Sequence, residues 1–307
     1  MKPQILDAIK KSAAVPSMPQ VVMRFLEIIQ DPDFSYDDVV KVLSADAGTV
    51  SELLRLANSA LFGVSRKVVS LRAALTLLGP RRTRSLVLGR YLIETMGKQD
   101  PAGLDAGYYW RRSLARAALA TRLADAVARQ HKDEAFITAL LATVGIPILA
   151  QAMPKAYGPL AARYAPHGTP FTLDEERALV ETTHAEVGAE VLAHWGLPEA
   201  VCQAVGCYPL NVTGTDEAHV LARVTGAAER LARLLCEVPD TSTLVPECSV
   251  AAQHAGTDLN VLVRVLGEIE KDVEELSSIL HVDVIPSATY KQIAKAIQDQ
   301  LAQSTTG

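Results

Sequence analysis

Four cysteines, Cys202, Cys207, Cys236 and Cys248, and seven histidines are the obvious metal-ligating and nucleophilic side chains in this chain of 307 residues. The cysteines form no CxxC pair and have no clustered histidine partners, so neither a zinc site nor a disulfide framework is indicated; buried free thiols are expected. His184 and His194 stand ten residues apart, roughly 80° on a helical wheel, and so present no shared metal face. The sequence contains no HExxH, no GxSxG, no EF-hand spacing and no Gly-rich phosphate loop. Catalytic groups would have to be gathered from several helices.

Charge is the second chemical signal. The net charge of -5 conceals eight Lys or Arg in residues 51–90 against Glu52 alone, and five acidic residues in 266–280 against Lys271. Arg81, Arg82 and Arg84 follow Pro80 at a helix start, where anions are favoured, which makes them candidates for binding a partner or an anion. The plainer alternative is that these arginines solvate helix faces. No recognised DNA-reading motif is present, and nucleic acid is not an expected partner.

The elements that must position such groups are helices. Asp133 to Gly145, DEAFITALLATVG, is apolar all round and free of ionisable side chains in its middle, which predicts a central helix surrounded by others. It is expected to run from Asp133 to Met153, with Gly145 and Pro147 breaking or kinking it. Before residue 100 five helices are predicted: one opened by Pro19, then Tyr36–Leu43 behind a Ser35/Asp38 capping box, Ala47–Ala60 capped by Asp46, Leu71–Leu78, and Arg81 to about Met96. The stretch Lys98 to Gly107 is the expected boundary. A second unit follows, with helices over 108–130, 133–153, 173–195 broken near Thr183, 198–206 and 216–236. Pro239 to Gly256 is hard to read, Leu259–Leu280 is a long amphipathic helix, Ala288–Ala302 a further one, and 303–307 a disordered tail. With 49% hydrophobic and 5% aromatic residues the packing is aliphatic. No apolar run approaches the ~20 residues of a membrane span, and the start MKPQILDAIKKS has no signal-peptide core. A cytoplasmic protein without a membrane partner is expected.

The run VPSMPQVVMRFLEIIQDPDFSYDDVVKVLSADAGTVSELLRLANSALFG at Val15 to Gly63 resembles the HDOD (HD-related output domain) family of bacterial signalling proteins. VVSLRAALTLLGPRRTRSLVLG at Val68 to Gly89, Tyr109 to Ser113, the helix opening at Asp133, and THAEVGAEVLAHWGLPEAVCQAV at Thr183 to Val205 continue the likeness. It covers roughly residues 15–236. The resemblance implies an all-α fold, an N-terminal helical bundle (15–97) packed on a part (108–236) related to the HD and HD-GYP phosphohydrolases, with 237–302 as a C-terminal helical extension.

Those hydrolases hold divalent metal through His and Asp side chains from several helices. In this chain the corresponding positions read Arg112 for the first His, Ala142-Thr143 for the His-Asp pair and Ile146 for the Lys. A later His is retained as His184; the His-His positions fall near Gly206-Cys207 and the final Asp near Thr225. One ligand of the set survives, a lone imidazole cannot hold a hydrated divalent cation, and Arg112 would repel one. The resemblance therefore implies a degenerate site with no metal, no cofactor and no hydrolase activity. His184 is expected to cap the helix beginning at Ala185 and to pack beside Trp195; a hydrogen bond to a cleft ligand is the alternative. Arg112 is either a buried cation paired with a carboxylate or an anion-binding group. The family likeness points to a non-catalytic regulatory module acting on signalling or regulatory proteins. The alternatives are a sensor holding a cyclic dinucleotide, nucleotide or other anion in the vestigial cleft, and a divergent metal-dependent phosphohydrolase.

Overall fold

A computed structural model describes residues 18–58, 67–96, 101–237, 241–280 and 287–305, together with Ile9 and Val15. The described residues form fifteen α-helices and no strand. α1 (Gln20–Gln30) turns Val22, Phe25, Leu26 and Ile29 inward at spacings of three and four. Ser35 caps α2 (Tyr36–Leu43) through the Asp37 amide at 3.2 Å, while Asp38 turns instead to Lys41, so the expected box is half made. Asp46 caps α3 (Ala47–Ala57) by accepting from the Gly48 and Thr49 amides. Residues 59 and 60, expected in that helix, lie outside the described residues. α4 (Leu71–Met96) is two helices meeting at Gly79, whose φ of 72° supplies the stop before Pro80.

Three helices make the centre: α5 (Ala106–Val127), α6 (Lys132–Leu141) and α12 (Glu217–Glu237) pack against one another, and α4 lies on α6. Every α6 residue from Glu134 to Leu141 is buried, as an all-round apolar helix requires. It ends twelve residues before the expected Met153, because Ala142 to Val144 break the segment and α7 (Gly145–Ala152) starts afresh. A Cβ on Gly145 would stand 2.0 Å from the His184 carbonyl oxygen, so the chain turns there to let another helix's backbone in.

Within Arg129–Ala152 an 18-residue window has a mean hydropathy of 1.9, enough by length and composition to cross a membrane, contrary to the expectation that no apolar run comes close; 89% of that window is buried within the fold. α8 (Pro154–Ala161) was not legible, since Gly158 and Pro159 mask the start signal of Pro154. α9 (Leu173–Val180), α10 (His184–His194) and α11 (Glu199–Cys207) then lead into α12.

The C-terminal part is α13 (Thr241–Ala255), obscured in the sequence by Pro246, then α14 (Leu259–Leu280) and α15 (Ser287–Thr305). α15 continues through residues 303–305, expected to be a disordered tail; residues 306 and 307 lie outside the described residues. The acidic face of α14 is turned inward at one point. Asp272, fully buried, takes Arg122 of α5 through both oxygens at 2.5 and 2.8 Å, and Glu268 adds a third bond at 2.7 Å. A connected hydrophobic core runs from Val22 to Ile297, so the N-terminal bundle, the middle part and the extension share one interior.

Candidate functional site

Two arginines one turn apart, Arg112 and Arg116, interrupt the run of small apolar residues on α5. A charge inside such a run is tolerated only when it is paired. Both converge on Glu229, itself set among buried Ala227, Ala228 and Leu231 of α12. Arg116 is fully buried. Its Nη1 donates to Glu229 Oε2 at 2.6 Å, its Nε to the Ala139 carbonyl at 2.5 Å and its Nη2 to Thr143 Oγ1 at 2.9 Å. Arg112 donates to the other Glu229 oxygen at 2.5 Å and to the Tyr108 hydroxyl at 3.1 Å, and its guanidinium lies 4.5 Å from the centre of the Tyr164 ring. Burial works against the Glu229 carboxylate, but Arg112 and then Arg116 hold it below the usual glutamate range. Arg112 is thus the paired cation of the two alternatives, mostly buried but with an edge on the cleft.

A second group sits across the cleft. Thr183, not His184, caps α10, accepting from the Glu186 amide at 3.1 Å. His184 is the first residue inside the helix and meets Phe171 and Tyr208 edge-on rather than Trp195. Its Nδ1 is 2.8 Å from Glu176 Oε2 and its Nε2 2.8 Å from the Tyr208 hydroxyl. Glu176 is fully buried and also receives the Tyr157 hydroxyl and the His184 amide. A carboxylate accepts only, so it fixes the proton of a neutral imidazole on Nδ1 and leaves Nε2 to accept from Tyr208.

These groups border a cleft of about 290 Å³. Of the positions singled out in the sequence, Arg112, Thr143, Ile146 and His184 line it. Ala142 faces the core, with 0% exposure. Gly206 and Cys207 do not line the cleft; Tyr208, the next residue, does. Thr225 is likewise buried outside it, with a hydroxyl that finds no partner among the described residues, and Glu229 one turn later reaches the site instead. Arg81 and Arg82, read as partner- or anion-binding groups, are engaged by Glu134 and Asp133 in the first turn of α6, and Arg84 reaches the Ile29 carbonyl at 3.5 Å. Arg81 and Arg82 tie α4 to α6 and Arg84 ties it to α1, while the Arg81 side chain stays 76% exposed. Arg55, Arg72 and Arg90 of the same basic stretch are also engaged, by Ser278, by Asp37, and by Asp46 with Glu52. The sequence missed Arg116, Glu229, Glu176, Tyr157, Tyr164 and Tyr208. A lone charge within an apolar helical run was the available signal for the first two.

The residues present do not fit a divalent metal. Among the described residues no three His, Cys, Asp or Glu side chains converge, and the guanidinium of Arg116 fills the space beside Thr143. An ion placed there would meet a permanent positive charge.

An all-helical protein with a small bundle on one side of a three-helix centre, and a cleft between its α5, α10 and α12, is the class that this fold and site define. The HDOD domain model matches residues 15–208, and the chain belongs to that family. A protein of Treponema pallidum (strain Nichols) described only as uncharacterized is 27% identical over 197 residues, 62% of this chain and 37% of the relative, so the match spans little more than a third of that protein. Among solved structures, a "Putative phosphohydrolase" from Shewanella amazonensis SB2B superposes with a TM-score of 0.70 at 20% identity, covering 91% of this chain and 98% of that one. An HDOD domain protein of unknown function from Geobacter sulfurreducens superposes at 0.63 and 19%, covering 96% and 97%.

Proposed function

We propose that this HDOD protein is a non-catalytic signalling module that works by binding a regulatory protein, with its ancestral hydrolase site closed by an internal cation. One observation carries the reading: the fully buried Arg116 guanidinium bonds Thr143, the Ala139 carbonyl and Glu229 at once. Metal-dependent hydrolysis needs an ion to acidify the attacking water, whose bulk pKa is ~15.7. A guanidinium offers neither an open coordination position nor an exchangeable water, and its charge excludes an ion that could supply them. This weighs against hydrolysis, the activity named for the Shewanella neighbour. The remaining asset of the molecule is its surface and the stiffness of its shared core, which suits a protein that presents an interface.

The test is elemental analysis of purified protein together with hydrolysis of bis(p-nitrophenyl) phosphate in the presence of Mn²⁺. Less than a stoichiometric amount of bound metal and no hydrolysis above the buffer rate are expected. One equivalent of metal, with an activity that disappears in His184→Ala, would overturn the reading. Affinity capture from the native host, followed by reconstitution with the purified candidate, is the companion experiment for the partner.

A further inference from the structure

The outer wall of the cleft is built from α12 and α13, beyond residue 208 where the family match ends. Gly226, Glu229, Arg230, Arg233 and Glu237 recur at spacings of three and four and so share one face of α12. His254 closes the wall from α13. The two carboxylates are already engaged: Glu229 by Arg112 and Arg116, Glu237 by the Tyr108 hydroxyl at 2.6 Å and Arg233 Nε at 3.0 Å. Arg230 makes one bond, 3.2 Å to the surface residue Glu247. The terminal nitrogens of Arg233 and the second of Arg230 therefore have no partner among the described residues.

His254 sets the shape of this wall. Both of its ring nitrogens are shielded from solvent and neither has a hydrogen-bond partner among the described residues. Atoms that water cannot touch are out of reach of a ligand oxygen in the cleft as well, so the ring bounds the space beside the two arginines and leaves the polar contacts to them. The ring is pressed against α12: a Cβ on Gly226 would stand 2.8 Å from His254 Cε1 and 2.8 Å from the Tyr208 carbonyl oxygen. Burial, followed by Arg230 and Arg223, keeps the imidazole below its ordinary pKa, so the ring stays neutral.

We propose that this wall binds a small phosphate monoester of mononucleotide size, its phosphate held by the free nitrogens of Arg230 and Arg233. A phosphate dianion has enough acceptor oxygens for two guanidiniums at once. Phe171, Pro170, Pro209 and Ile146 provide an apolar surface for the organic part. A volume of about 290 Å³ lies at the bottom of the ~300–1,000 Å³ range of small-molecule sites, which suits one nucleotide and not two joined in a ring. The inference rests on the cleft being a binding site and not a catalytic one, and makes the module a sensor as well as an interface.

Calorimetric titration of the full chain with adenosine and guanosine 5′-monophosphate is the test, with inorganic phosphate and cyclic di-GMP as comparison probes and free phosphate measured in each mixture. One mononucleotide is expected to bind at a single site, more weakly as salt rises. Arg230→Ala/Arg233→Ala should weaken it about tenfold or more. The two arginines are 41% and 37% exposed, so the double variant is expected to keep the parent's fold, checked by its melting curve. No heat with either mononucleotide, undiminished binding in the double variant, or equal affinity for phosphate alone or for cyclic di-GMP would overturn the proposal. Release of phosphate from a bound mononucleotide would instead refute the non-catalytic reading and leave the binding site standing.

Discussion

Replacing Arg116 by methionine keeps most of the aliphatic stem and removes the guanidinium. Glu229, 17% exposed, would then keep Arg112 alone, and Thr143 Oγ1 and the Ala139 carbonyl would lose their donor. Removing one partner of a buried ion pair costs about 3–5 kcal/mol. For a chain of this length each kcal/mol moves Tm by roughly 2 °C, so Arg116→Met is expected to melt about 6–10 °C below the parent at pH 7. The double variant Arg116→Met/Glu229→Gln should lose less than the sum of its singles, by about 0.5–3 kcal/mol, because each single variant already breaks the Arg116–Glu229 pair. Acid supplies a second check with a defined sign. The Glu229 carboxyl is held below its ordinary 4.5 in the folded protein, so its contribution is present above that pH and is lost as pH falls through the folded value. In Arg116→Met one of the two cations that hold the carboxyl down is gone, so protonating it costs less than in the parent and the gap between parent and variant should narrow toward pH 4. Melts followed by circular dichroism across pH 4–8 measure both effects. A shift under about 2 °C at pH 7, or strictly additive singles, would show that the guanidinium is a dispensable filler and would remove the support for a closed site.

Gly145→Ala puts a methyl group 2.0 Å from a backbone oxygen that cannot swing aside, so it should exceed the ~1–3 kcal/mol of ordinary overpacking; a variant that melts with the parent would refute the account of the break between α6 and α7. Arg122→Met strands the fully buried Asp272 and should cost about 3–5 kcal/mol, with hydrogen exchange rising first in α14; protection unchanged along 259–280 would mean the extension is held by apolar packing alone. Arg81→Ala/Arg82→Ala removes two pairs with part-exposed arginines and should cost about 0.2–1 kcal/mol for each pair; a loss beyond about 3 kcal/mol would mark them as more than surface ties.

The helices were legible because caps and periodicity are local: Ser35 and Asp46 both accept from amides of the first turn that follows them. What was not legible depended on partners far away in the chain. The end of α6 is set by Arg116, 23 residues earlier, which takes the Ala139 carbonyl, and by the His184 backbone pressing on Gly145. The site divided in the same way. The family likeness located Arg112, Thr143, Ile146 and His184 at the cleft, but it carried no signal for Arg116 or Glu229 beside them. Arg116 and Glu229 are invisible as a pair in a sequence where 113 positions separate them. The ion pairs of the basic stretch were hidden for a related reason, since net charge over a window says nothing of the carboxylates that Asp37, Asp133 and Glu134 bring from elsewhere.

Arg116 is joined to the chain by covalent bonds. An ion arrives by diffusion and leaves by dissociation, so its occupancy follows its free concentration, and any stability it lends follows with it. A guanidinium neither dissociates nor loses its proton below about pH 12. Chelators, starvation for iron or manganese, and mild acidification all leave the charge at Thr143 and Glu229 where it is. The bonds that this charge makes to Thr143, Glu229 and the Ala139 carbonyl are consequently as permanent as the chain itself.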